Sequence, residues 1–137
     1  MSAFSNIASH AVLPLGAYSL EDLKKGSRHA DQRLLYANLA GHNDKKSVLV
    51  ALAKAFPLQA HFGHNLDALY DCITDLKPIE GTDHPGFVVI LENLPDSKNF
   101  DAEQRNALLD VFREAADYFF DKKTAFRVFY SVVKHHL

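Results

Sequence analysis

From residue 33 onward, apolar positions recur along the chain with two different periods. Over 33–41, Leu35, Ala37 and Leu39 fall on one side of an alternating run that Gly41 ends, which predicts a strand. Val48, Leu49, Leu52, Ala55 and Phe56 then share one helical face; Asn43 caps a predicted helix over 44–56 and Pro57 stops it. After a loop, Asn65 caps a second helix over about 66–76, with Leu66, Leu69, Ile73 and Leu76 as its apolar face. Residues 87–91 (FVVIL) are apolar without a break, the pattern of a strand covered on both faces. Asp101 and Gln104 have the spacing of a capping box before a long helix to about residue 120. Its stripe is Leu108, Val111, Phe112, Ala115, Tyr118 and Phe119, and a last strand follows over 125–132. Strands alternating with helices in this way predict an α/β layer with a parallel sheet.

The first part of the chain is patterned more weakly. Residues 1–31 read as an N-terminal extension and 32–137 as the domain proper. The extension either lies on the domain or adds a short βα unit. In the second case Gly16, Ala17 and Tyr18 would form the strand, and Ser19 would cap a helix over 20–29, with Gly26 weakening it.

Composition narrows the function. With 47% hydrophobic and 23% charged residues in 137, the chain has the material for a real core. The formal net charge is −2 and the basic residues are scattered, which argues against direct binding of nucleic acid. No apolar stretch is long enough for a bilayer, and no signal-peptide pattern opens the sequence. Cys72 has no second cysteine to pair with, so a reducing cytoplasm is the expected compartment.

Candidate chemistry is sparse. There is no phosphate loop and no nucleophile elbow. Cys72 reads as a buried core thiol or, alternatively, as a nucleophile served by nearby histidines. His61, His64 and Asp67 have a loose metal-ligand spacing without a cysteine; surface histidines explain it equally. The unusual feature is a row of aspartates, Asp67, Asp71 and Asp75, at i, i+4 and i+8 opposite the apolar face of the second helix. Like charges at that spacing repel by about 0.2–0.5 kcal/mol per pair. Asp75 also sits in the last turn, where the helix dipole disfavours an anion. The row is either a solvated face or an acidic ridge for a cationic partner, with Tyr70, Phe62 and His61 beside it.

The contiguous stretch Phe62, Gly63, His64, Asn65, Leu66, Asp67, Ala68, Leu69, Tyr70, Asp71, Cys72, Ile73 and Thr74 resembles the central segment of the barstar family. Val88 to Glu92 (VVILE) resembles that family's second strand, and Val111 to Ala115 (VFREA) its last helix. The resemblance covers about residues 32–133. It implies a three-stranded parallel sheet packed with helices. It further implies an intracellular inhibitor whose partner is a barnase-like ribonuclease, monomeric when free, with no catalytic residue, cofactor or metal. Carried over by position, Asp71 is the aspartate that takes the enzyme's phosphate site and Asp67 a second carboxylate that meets its basic groups. Glu114 is an acidic residue at the rim. His61 and Tyr70 stand at two aromatic positions, and Gly63 and Asn65 present the helix. The chain has no tryptophan, whereas the family prototype has one at the Tyr70 position and another near Leu76. His61 stands where the prototype has tyrosine, so protonation below about pH 7 would set a positive charge against a basic cleft. The alternative is a barstar-fold module for a different basic partner.

Overall fold

The computed structural model describes residue 4 and residues 7–16, 18–58 and 65–134. In chain order the elements are β1 (His10–Pro14), α1 (Leu20–His29), β2 (Arg33–Asn38), α2 (Lys45–Ala55), α3 (Leu66–Thr74), β3 (Gly86–Leu94), α4 (Ala102–Asp121) and β4 (Ala125–Val132). The four strands lie side by side as β1-β4-β3-β2, and every neighbouring pair is parallel.

Among the described residues the sheet therefore has four strands, not the three that the resemblance implied. The fourth comes from the extension, which does add a βα unit. Its strand is not at residues 16–18. Gly16 sits in a turn with φ +49, Ala17 lies outside the described residues, and Tyr18 is in no strand. Instead His10–Pro14 pairs along the outer edge of β4, from His10 beside Phe126 to Pro14 beside Tyr130. A proline is tolerated there because an edge strand leaves one side of its backbone unpaired. The helix of the unit is where the capping signal put it: the Ser19 side chain accepts from the Asp22 N–H at the start of α1.

β3 is central, and its first six residues, Gly86–Leu91, are all buried. The reason is that both faces are covered. On one face Leu35, Ala37, Val89, Leu91 and Val128 meet α2, α3 and α4 through Leu52, Ile73 and Phe112. On the other, Val88, Ile90 and Phe129 meet Leu23 of α1 and Phe4. Side chains alternate across a strand, so one central strand feeds both layers. The capping box predicted for the long helix is present: Asp101 Oδ1 accepts from the Gln104 N–H and Gln104 Oε1 from the Asp101 N–H, both at 3.0 Å.

Two features of the sheet make separate predictions. A Cβ at Gly86 would lie 2.7 Å from Ala125 Cβ and 2.9 Å from Gln32 Nε2. The strand pairing fixes Ala125, and Gln32 is buried, so neither gives way cheaply. Gly86→Ala should destabilise by about 1–3 kcal/mol, read as a lower urea midpoint with an unchanged slope.

Toward the other end of β2, the Tyr36 hydroxyl donates to Glu92 Oε1, and Lys24 Nζ lies 4.6 Å above the Tyr36 ring. The hydrogen bond to Glu92, then burial and the Glu92 charge, push the phenol up to about 12 from 10.0. The folded protein thus holds this proton more tightly than the unfolded chain does. The resulting stabilisation is complete below about pH 10 and is lost as pH rises toward about 12. Urea midpoints should fall less for Tyr36→Phe than for the parent over that interval.

Candidate functional site

α3 is a short helix built to show one face and bury the other. Asn65 Oδ1 accepts from the Ala68 N–H at 2.8 Å, satisfying one of the free donors of the first turn. Leu69 and Ile73 are buried, and Leu66, Tyr70, Cys72 and Leu76 pack against the main core at its rim. The helix runs to Thr74, and Asp75 is its C-cap. Cys72 is half-buried against the core, which suits its structural reading.

Opposite that face, Asp67, Asp71 and Asp75 are all exposed. None pairs with a lysine or arginine among the described residues, where the ion pairs are Asp96 with Arg105 at 3.0 Å and Asp110 with Arg113 at 2.7 Å. Among the described residues, then, no ion pair neutralises the charge of the row. Asp67 lies in the first turn, where the helix dipole favours it. Asp71 and Asp75 have no such compensation, so their cost stands.

α3 packs on α4, and this packing brings Glu114 to the row. Glu114 is exposed, and its neighbour Arg113 is committed to Asp110. Tyr70 marks the seam between the two helices. Burial of its ring raises the phenol pKa, and the charges of Glu114, Asp71 and Asp117 push the same way, as does Tyr118. Tyr70 thus sits among carboxylates drawn from both helices. Lys122 Nζ lies 5.1 Å over the Tyr118 ring, at the end of the same helix.

Of the residues singled out from the sequence, the structure brings Asp67, Asp71, Tyr70 and Glu114 onto one surface, with Asn65 starting the helix that carries the first three. His61, Phe62 and Gly63 lie outside the described residues, as does His64 of the loose metal-ligand spacing. Among the described residues no group of three or more His, Cys, Asp or Glu side chains is placed to hold a metal ion. No described helix is long and apolar enough to cross a membrane.

Sequence reading missed Asp117 and Tyr118 as neighbours of the row. A signal was available: Asp110, Glu114, Asp117 and Asp121 recur at i, i+4, i+7 and i+11 on α4, a second acidic stripe. Only the packing of α4 on α3 sets it beside the first.

The comparisons with known proteins bear on the chain as a whole. No curated protein shows a significant match. A family model described as Barstar (barnase inhibitor) matches residues 32–131, well over half of the sequence and all of β2 through α4. The chain therefore belongs to the barstar (barnase inhibitor) family.

Proposed function

We propose that this protein inhibits a barnase-type microbial ribonuclease in the cytoplasm by seating α3 in the enzyme's active-site cleft. The observation that carries the reading is the exposed carboxylate row Asp67–Asp71, without an ion pair among the described residues, on a capped helix, backed by Glu114 across the α3–α4 seam. A ribonuclease cleft must present Arg, Lys and His to hold phosphates and to stabilise charge in the transition state. Carboxylates spaced along a helix occupy the same donors. Inhibition then needs no bond making by this chain: it competes with RNA for the cleft. Tyr70 supplies rigid aromatic area at little entropic cost, and Asn65 caps the helix; His61, Phe62 and Gly63 join the proposed interface on the family resemblance alone.

The test is titration of barnase-type ribonuclease activity with the purified chain. Activity should fall to zero at one equivalent, competitively with RNA. The association rate should drop steeply with salt, since opposite surface charges steer encounter. Full activity at roughly tenfold excess of the chain would remove the proposal.

One observation favours a second reading. The chain contains no tryptophan, so an interface here holds less aromatic area than one built on the prototype's indoles. The fold would then serve a different basic partner. Affinity capture from the source cell with the parent and an Asp71→Ala bait separates the readings: a ribonuclease lost from the second bait supports inhibition.

A further inference from the structure

The first turns of α2, α3 and α4 line a common cavity of about 90 Å³. Its walls are apolar: Val48 and Leu49 of α2, Phe100, and Leu108 of α4, all buried. Leu66, the first residue of α3, and Ala107 of α4 are half-buried and complete the apolar lining. Close-packed interiors hold few voids larger than a water molecule, and a wall without a partner forfeits its dispersion contacts. A single water needs about 10–15 Å³ and two to four polar partners. This space is several times larger and bounded mostly by hydrocarbon, so an apolar group fills it better than water does.

Two polar residues join the lining where it meets solvent: Lys45, which is exposed, and Gln104, which is half-buried. Gln104 Oε1 accepts from the Asp101 N–H in the capping box, so what the amide can still offer is an N–H. Lys45 is the one charged side chain among the described residues that line the cavity, and it belongs to neither of the ion pairs found among them. The acidic caps Asp44 and Asp101 lie outside the lining and accept from the Ser47 and Gln104 N–H groups of their own helices. The polar part of the cavity thus offers donors and one positive charge beside an apolar floor.

We infer that this cavity is a second binding site, for a small monocarboxylate with a compact branched aliphatic body about the size of a leucine side chain. The body displaces poorly held water from between Val48, Leu49, Phe100 and Leu108. The carboxylate stays at the mouth, where it pairs with Lys45 and accepts from the Gln104 amide, so its charge is never taken out of reach of water. An uncharged ligand would leave the lysine unused, and a bare anion would leave the walls unused. The site touches α3 at Leu66, on the apolar side of that helix, and does not depend on ribonuclease inhibition.

Methyl-resolved NMR of the full chain, titrated separately with isovalerate, isovaleramide and acetate, tests the inference. Isovalerate carries the body and the charge, isovaleramide the body alone, and acetate the charge without the body. Saturable shifts at the Val48, Leu49 and Leu108 methyls are expected with isovalerate at a Kd below about 10 mM. Isovaleramide should bind about tenfold more weakly, and acetate should shift none of these methyls. Lys45→Gln removes the charge at an exposed position. It should bring isovalerate down to the affinity of isovaleramide and leave isovaleramide unchanged. The urea midpoint of the free variant should hold or rise, because a cation in the first turn of α2 opposes the helix dipole. Ala107→Leu fills the space and should abolish binding of both. Absence of shifts with isovalerate, equal affinity for acetate (an adventitious ion only), equal affinity for isovaleramide, or undiminished isovalerate binding in either folded variant would each overturn the inference.

Discussion

Asp71→Ala is expected to weaken binding to the target ribonuclease by about 2–5 kcal/mol, on the order of 30- to 4,000-fold in Kd. Charge pairs between barnase and barstar are themselves among the measurements behind that range, so the magnitude is the family's own. What the structure adds is the sign of the accompanying change in stability. Asp71 is exposed in the middle of α3 and makes no ion pair among the described residues. Asp67 and Asp75 flank it at four residues on either side. Alanine is the better helix former by about half a kcal/mol, and removing the central charge relieves two repulsive spacings of roughly 0.2–0.5 kcal/mol each. The variant should therefore unfold at a higher urea concentration than the parent while binding far less well. Opposite movement of the two quantities is what a residue kept for a partner shows. Asp71→Asn separates charge from shape: it should lose most of the affinity with little change in side-chain volume. Isothermal titration with the nuclease, alongside urea unfolding of the free protein, reads both. Undiminished affinity in Asp71→Ala and Asp71→Asn would remove α3 from the interface.

Much of this surface is legible in the sequence because a helix converts spacing into direction. Asp67, Asp71 and Asp75 have to share a face once Asn65 fixes the start and Leu69 and Ile73 fix the buried side. The contribution of Asp117 and Tyr118 is not legible in the same way. Their own periodicity is plain, but which helix faces α3 is a matter of packing across the sheet, and no local pattern records it. The same division holds for the fold. FVVIL announces a strand covered on both sides, and it is the central β3. β1 escapes the pattern because an edge strand leaves weak marks: Ala11, Val12 and Leu13 are only half-buried, and Pro14 closes the run. Gly16 reads as the first residue of a short strand, whereas its positive φ belongs to the turn that follows β1. The resemblance supplies three strands and does not reach the extension, which is where the fourth lies.

That extension leads to the second large effect. A chain reduced to residues 32–137 should fail to give a folded monomer. Val88, Ile90 and Phe129 are each fully buried, and what covers them is α1, through Leu23, and Phe4. Burying one such side chain contributes about 1.5–3 kcal/mol, so uncovering three forfeits roughly 5–9 kcal/mol. That is comparable to the whole stability of an ordinary domain, about 5–15 kcal/mol. The loss of β1 adds a second fault. It bares the outer edge of β4, a strand with Phe126, Val128 and Phe129 in its buried run, and an open apolar edge recruits other chains. Light scattering should show oligomers or aggregate, and the near-ultraviolet circular dichroism of the aromatic core should be weak. Leu23→Ala in the full chain tests the same cover without removing the strand. It should cost about 2–4 kcal/mol, because Leu23 is 2% exposed and lies against the back of the sheet. A truncated chain that stays monomeric and unfolds cooperatively at the parent's midpoint would show instead that residues 1–31 rest on a domain already complete. In that case the continuous apolar run of β3 would need another explanation, since half of it would then face water.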